Sequence, residues 1–324
     1  MLGVPVVDVL EVVLPRVATV VAFISVGVFV ANLLVDFGAV RYVAALAKPL
    51  TGPANLPSEV GSAILTTAAS TTAGYGMLAE FRESGALDDR ATLVAVTINT
   101  FFGFAQHVFT FYAPVLVPIL GLRMGLLYVG FRAGIALAIT VLGVLAGALL
   151  LSEANVDRAK LGTIDADAPG EEAKSTREKL RSAAETTASR LRSILPRLLV
   201  VYLVLEAVLM TVDVTRHTGP LNEVAVAVTG LPVESVPVVV AFTFNTTVGA
   251  LTAASLVPET LTVEQGVAAM LLGGVFSFAV STFKRSIPFQ YGIWGPTFGS
   301  KVVAVNVATK IVFVALALAL LLAV

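Results

Sequence analysis

The 324-residue chain is 57% hydrophobic and only 13% charged, and its mean hydropathy of +0.91 excludes an ordinary soluble domain. A formal net charge of −1 gives no basic field for nucleic acid, and the absence of cysteine excludes disulfides and thiolate chemistry. With His107 and His217 as the only histidines, we expect no metal site and no cofactor. The composition therefore predicts a protein of the lipid bilayer.

Six apolar stretches are long enough to cross a bilayer core, which requires about 20 residues per helix. They are residues 12–35, 91–112, 122–151, 194–212, 263–283 and 302–324. Two further stretches, 57–81 and 232–257, are interrupted near their centres by polar residues. Because half-helices of roughly 11 residues reach only the bilayer midplane, these two stretches are predicted to be re-entrant hairpins.

A polar insert separates the two hydrophobic blocks. Residues 152–192 contain eight basic and eight acidic side chains, and from Glu171 the insert is rich in Ala, Glu, Lys and Arg. That composition predicts a solvated helix leading into the span that begins near Ile194. The chain is thus divided into a first membrane block, 1–151, a partly helical linker, 152–192, and a second block, 193–324.

The two blocks are similar in sequence. At an offset of 175, six residues of the first hairpin region coincide with residues of the second: Leu56, Pro57, Glu59, Thr71, Thr72 and Gly74 match Leu231, Pro232, Glu234, Thr246, Thr247 and Gly249. At an offset of 174, Phe102, Phe104, Ala105, Phe109, Pro114, Ile119, Gly121 and Gly125 match Phe276, Phe278, Ala279, Phe283, Pro288, Ile293, Gly295 and Gly299. We interpret this as an internal duplication.

The number of crossings decides how the two copies are oriented. Three crossings per repeat invert the second copy, whereas four crossings leave it parallel. With re-entrant hairpins, the basic insert lies on the same side as Arg82, Arg90 and Lys301, which is the positive-inside pattern. We therefore predict an all-α, multi-pass cell-membrane protein with two inverted repeats, each of about three transmembrane helices and one hairpin, with a cytoplasmic linker and both termini outside.

Polar residues at the hairpin tips and in the following helices are candidates for solute binding. The tip residues are Ser70, Thr71, Thr72, Gly74, Asn245, Thr246, Thr247 and Gly249. The following segments, which are expected to break within the membrane, add Asn99, Thr100, Phe104, Gln106, His107, Phe278 and Ser281. The alternatives are hydroxyls bonded to their own helices, glycines that permit close packing, and an interfacial aromatic belt.

Three charged residues lie deep within predicted spans, where an isolated charge is costly. These are Arg132, Glu206 and Lys310. Pairing of Glu206 with Arg132 or Lys310 would either lock helices together or couple solute movement to protons. The sequence leaves these roles open, as it does the coupling ion, Na⁺ or H⁺.

The first hairpin, with the run from Ser70 to Leu78, and the Asn99-bearing helix after it resemble the Gate family, also called nucleoside-recognition domain proteins. The resemblance implies an architecture related to concentrative nucleoside transporters, in which two hairpins and two unwound helices hold the substrate. Transferred to this chain, that site implies the segments 70–74, 99–107, 245–249 and 276–281. The chain lacks the additional scaffold helices of those transporters.

The sequence therefore predicts a secondary transporter or permease for a small polar solute, with nucleosides among the candidates, that binds between two hairpin tips. The alternative is a non-transporting membrane scaffold or receptor that acts through its cytoplasmic insert. No carboxylate cluster or nucleophile–base set indicates an enzyme. Because each half has little scaffold of its own, a homodimer is a further expectation.

Overall fold

The computed structural model describes residues 48–161, 175–211, 230–257, 259–281 and 286–323, and parts of 10–33. Described residues form helices and no strand, as predicted; one isolated bridge joins Leu87 and Val156. Helices α1 to α12 are Lys48–Thr51, Ser58–Ala69, Thr71–Glu83, Asp89–Ile98, Thr100–His107, Val117–Leu150, Arg158–Leu161, Thr176–Thr211, Val236–Phe244, Thr246–Leu256, Val263–Ser281 and Ile287–Leu322. The other helical elements are a π-helix at Val108–Leu116 and 3₁₀-helices at Glu153–Asn155 and Val233–Ser235.

Both interrupted stretches form pairs of helices that pack against each other, α2 with α3 and α9 with α10. A single residue in extended conformation separates each pair: Ser70 (φ −143°, ψ 109°) in the first and Asn245 (φ −153°, ψ 118°) in the second. Glycine permits the close packing. A Cβ at Gly74 would lie 2.7 Å from the Ala63 carbonyl oxygen, and one at Gly249 would lie 2.6 Å from the Phe242 nitrogen.

The helices after the first hairpin form a long arm that folds back on itself. The arm runs through α4, α5 and the π-helix, and α6 packs antiparallel along all three. The reversal occurs at Gly121, whose φ of 74° lies in the region that favours glycine. At the far end of α6, Asn155 donates a 2.7 Å hydrogen bond to Asp88, so the end of α6 lies beside the start of α4.

Helix α8 begins in the polar insert and continues without a break into the apolar stretch after Ile194. The preceding linker residues 162–174 lie outside the described part of the chain.

Apolar length and surface are compatible with a membrane protein. The helical stretches Asp89–Leu150 and Phe289–Leu322 are long and apolar enough to cross a bilayer. Their outer faces expose large aliphatic side chains, such as Leu122, Leu126 and Leu320, which would be costly in water. The described structure is thus an all-helical bundle with an apolar exterior.

Candidate functional site

Two cavities lie beside the hairpin tips. The larger, of 270 Å³, is next to the first tip, and the smaller, of 140 Å³, is next to the second. We call them cavity A and cavity B. Tyr112, Arg132 and Lys310 line both of them, so the cavities adjoin at these side chains. A solute in this region would therefore contact both halves of the chain.

Each hairpin tip presents the start of a half-helix to a cavity. The Ser70 hydroxyl accepts a 3.3 Å hydrogen bond from the Ala73 nitrogen, and the side-chain amide oxygen of Asn245 accepts two bonds, from the backbone nitrogens of Thr247 and Val248. These caps fix the extended residue, and the next residue begins the helix. Thr71 consequently lines cavity A and Thr246 lines cavity B, each at the positive end of a helix dipole.

Asn99 lies at a discontinuity between α4 and α5. The sequence predicts breaks within residues 102–107 and 276–281, but both segments are helical, and the discontinuity in the first half lies just before Thr100. Thr140 of α6 stabilises it: its hydroxyl donates to the Ile98 carbonyl at 2.8 Å and accepts from the Phe101 nitrogen at 3.1 Å. Thr140 thus satisfies the two backbone groups, on Ile98 and Phe101, that lose their helical partners at this discontinuity. The residues on either side of Asn99 can therefore remain helical.

The Asn99 side chain is buried, with 1% of its surface exposed, and it lines cavity A. Neither its amide nitrogen nor its amide oxygen has a hydrogen-bond partner within the described part of the chain, and the same is true of the Thr71 hydroxyl. Burying such groups without partners costs about 1–3 kcal/mol each. Their position beside a cavity is therefore suited to binding a polar solute.

Arg132 and Lys310 bring positive charge to both cavities. The Arg132 guanidinium donates a 3.3 Å hydrogen bond to the Tyr112 hydroxyl. The Lys310 ammonium lies 4.1 Å from the centre of the Phe278 ring, within the range of a cation–π interaction. Glu206, the third charge predicted within a span, lies on α8, and its side chain is outside the described part of the structure.

The structure brings nine of the predicted residues together and gives others different places. The nine line the cavities: Thr71, Asn99, Thr100, Phe104, His107, Arg132, Thr246, Phe278 and Lys310. Seven do not line them: Ser70, Thr72, Gly74, Gln106, Asn245, Thr247 and Gly249. Of these seven, Ser70 and Asn245 act as helix caps, and the two glycines face the partner helix of their hairpin. The Ser281 side chain lies outside the described residues.

Sequence analysis missed several polar residues of the site. Tyr75, Gln290 and Asn306 line cavity A, and Tyr128 lines cavity B. Asn306 had a detectable signal in the sequence, because it lies 174 residues after Arg132, at the offset that relates the two hydrophobic blocks. Thr140 carried no such signal, since a lone threonine in an apolar helix usually bonds its own helix.

Comparison with known proteins finds two relatives in the archaeon Methanocaldococcus jannaschii. Uncharacterized protein MJ0871 is 24% identical over 285 residues, which cover 87% of this chain and 85% of the relative. Uncharacterized protein MJ0880 is 22% identical over 317 residues, which cover 96% and 99% of the two chains. No family model and no solved structure matches. The similarity to MJ0880 extends over both hydrophobic blocks and the insert.

Proposed function

We propose that the protein is a secondary transporter or permease of the cell membrane that binds a small polar solute between the two hairpin tips. The observation that carries this proposal is the set of buried polar atoms beside cavity A, on Asn99 and Thr71, that lack a partner within the described chain. Nucleosides remain a candidate class because of the resemblance to the Gate family.

Corresponding backbone features support a duplicated architecture. Ser70 and Asn245, which interrupt the hairpins, are related by the offset of 175. Gly121 and Gly295, related by 174, have nearly the same conformation, with φ of 74° and 70° and ψ of 165° and 166°. Identical residues accompany both pairs, such as Thr71 with Thr246 and Ile119 with Ile293, so a shared fold of the two halves is the simplest physical reason for the agreement.

The two cavities also correspond. At the offsets of the repeat, Thr71 and Phe104 of cavity A match Thr246 and Phe278 of cavity B. One half therefore supplies a hydroxyl at a helix start and an aromatic wall to one cavity, and the other half supplies the same groups to the other cavity. A site assembled in this way at a repeat interface is typical of secondary transporters.

Two ion pairs between the halves support an inverted orientation. Lys301 of α12 binds Asp89 at the start of α4 at 2.7 Å, and Arg123 of α6 binds Glu264 at the start of α11 at 3.5 Å. Arg123 lies near the start of α6, whereas the end of α6 lies beside Asp88. Since α6 runs about 40 Å from Arg123 to Leu150 at 1.5 Å per residue, Asp89 and Glu264 lie at opposite ends of the bundle.

Thiol labelling tests this orientation, because the chain contains no native cysteine. Ser84→Cys follows the first hairpin and Thr260→Cys follows the second. A membrane-impermeant maleimide applied to intact cells should label the Thr260→Cys protein, and should label the Ser84→Cys protein only after permeabilisation. Labelling of both from the same side would contradict the inverted arrangement and the re-entrant hairpins.

Solute-driven swelling of proteoliposomes tests transport without a labelled substrate. Wild-type protein should accelerate swelling with at least one of glycerol, lactate, amino acids and uridine. A Thr71→Val, Thr246→Val double variant should slow it, because both hydroxyls line the cavities. The matched control is Thr72→Val with Thr247→Val, which should retain the wild-type rate. Equal rates with protein-free liposomes for every solute would instead favour a membrane scaffold.

A further inference from the structure

The charge of the two cavities narrows the class of solute. Arg132 and Lys310 line both cavities, and no Asp or Glu is found among the described residues that line either one. Two cations facing one low-dielectric cavity repel each other, and each loses hydration there. An anionic group placed between them would relieve both costs, whereas a neutral nucleoside would relieve neither.

We propose that the site binds a small organic anion, held through a carboxylate or phosphate group by Arg132 and Lys310. The inference rests on the proposed function, since it names the solute of the same site. The half-helix starts at Thr71 and Thr246 add the positive ends of two dipoles to the same region. Four separate sources of positive potential thus converge on the adjoining cavities.

Asn99 adds a second chemical requirement for the solute. Its buried amide offers both a donor nitrogen and an acceptor oxygen to cavity A. An anionic oxygen satisfies only the donor, so the acceptor requires a hydroxyl or amine on the same solute. The structure therefore favours a hydroxy acid, an amino acid or a sugar phosphate over a simple inorganic anion.

The alternative counter-ion for the two cations is Glu206, whose carboxylate would neutralise one of them. Helix α8 packs against α10, the second half of the second hairpin. A Glu206→Gln variant distinguishes the two arrangements. If Glu206 is the counter-ion of the site, the variant should bind anions more tightly; under our proposal, anion affinity should stay within about threefold of wild type.

Pairs of related probes, one anionic and one neutral, test the proposal on the full chain in phosphatidylcholine nanodiscs. Lactate is compared with lactamide, and glycerol 3-phosphate with glycerol. We expect at least one anion to raise the unfolding temperature and its neutral counterpart to leave it unchanged. The single tryptophan provides a second readout, because Trp294 donates a 2.7 Å hydrogen bond to Gln290, which lines cavity A.

Variants then assign the charge dependence to the site. Lys310→Met and Arg132→Gln should each weaken binding of the anion about tenfold or more, and Arg132→Lys should recover part of the loss. Arg123→Gln is the matched control, because Arg123 is exposed and pairs with Glu264 outside the cavities. Unchanged affinity in folded Lys310→Met protein would overturn the proposal.

Two further outcomes separate this inference from the proposed function. If uridine or glycerol binds in a way that depends on Asn99 and is unaffected by Lys310→Met, the solute is not an anion, but the proposed site for a polar solute is supported. If phosphatidylglycerol in the nanodisc, but no soluble anion, produces the Lys310-dependent stabilisation, the anionic group belongs to a lipid headgroup. Failure of both the soluble and the lipid anions to stabilise wild-type protein would overturn anion binding from either source.

Discussion

The two hairpins share a backbone design but differ in the hydrogen-bonding side chains that surround their tips. Beside the first tip, α4 breaks at Asn99 and cavity A is lined by an amide, hydroxyls and an imidazole. At the position of Asn99 in the second half stands Gly273, inside the continuous helix α11. Cavity B is correspondingly smaller and is lined mainly by aromatic and aliphatic side chains.

Under the proposed duplication, this difference means that the two halves kept the same hairpin backbone while the side chains around the two tips diverged. Gly273 packs tightly against α9, where an added Cβ would lie 2.8 Å from the Val239 carbonyl oxygen. The second half therefore uses the space for helix packing, and the first half uses it for a polar side chain. The cations are divided between the halves, since Arg132 of the first half corresponds to Asn306, and Lys310 of the second half corresponds to Ala136.

The largest expected effect on stability concerns the glycine that allows close helix packing in each hairpin. Gly74→Ala and Gly249→Ala should each lower the free energy of unfolding by about 1–3 kcal/mol, because the added methyl group meets backbone atoms of the partner helix. Thermal unfolding in nanodiscs measures the change. Gly76→Ala is the control, since nothing lies within 4 Å of its added Cβ, and it should be neutral or stabilising. Equal behaviour of all three variants would contradict the close packing.

The next prediction concerns the helix discontinuity at Asn99, which is found beside the first hairpin but not at the corresponding position of α11. Thr140→Val removes the hydroxyl that bonds Ile98 and Phe101, and should cost about 1–3 kcal/mol of unfolding free energy. The cavity should also bind its solute more weakly, because Asn99 loses its support. Thr309→Val is the control: its hydroxyl bonds the Val305 carbonyl of its own helix, and little change is expected. A neutral Thr140→Val variant would show that the break does not depend on this contact.

Replacing Asn99 itself should separate binding from stability. Asn99→Leu should weaken solute binding about tenfold, yet leave the unfolding temperature unchanged or raised, because it removes a buried amide that has no partner in the described chain. Asn55→Gly removes an amide that is bonded to the Leu151 carbonyl, and should lower the unfolding temperature. Loss of stability in Asn99→Leu would indicate a structural role for the amide.

The smallest effect compares the two caps. Asn245→Ala removes two hydrogen bonds and should cost about 1–2 kcal/mol, whereas Ser70→Ala removes one long bond and should cost about 0.5 kcal/mol. Thermal unfolding of the two variants side by side checks the order. The reverse order would mean that the first tip is stabilised more strongly by its cap than the hydrogen-bond geometry indicates.

Much of the chain could be read from local sequence. Short polar runs within apolar stretches place the hairpin breaks, because a half-helix that ends in the apolar phase needs capping side chains at the break. The roles within each tip were harder to assign. Thr71 and Thr72 are indistinguishable by composition, but only Thr71 lines a cavity. The direction of a side chain depends on the rotation of its helix against neighbours, and local sequence does not fix that rotation.

The sequence by itself determined the helical class and the two interrupted segments, since these follow from apolar length and polar interruptions. Only the tertiary structure decided that Arg132 and Lys310 line the same cavities, and that Thr140 braces the break at Asn99. These residues lie on different helices. Their proximity results from packing between helices that are distant in the chain, which no local pattern encodes.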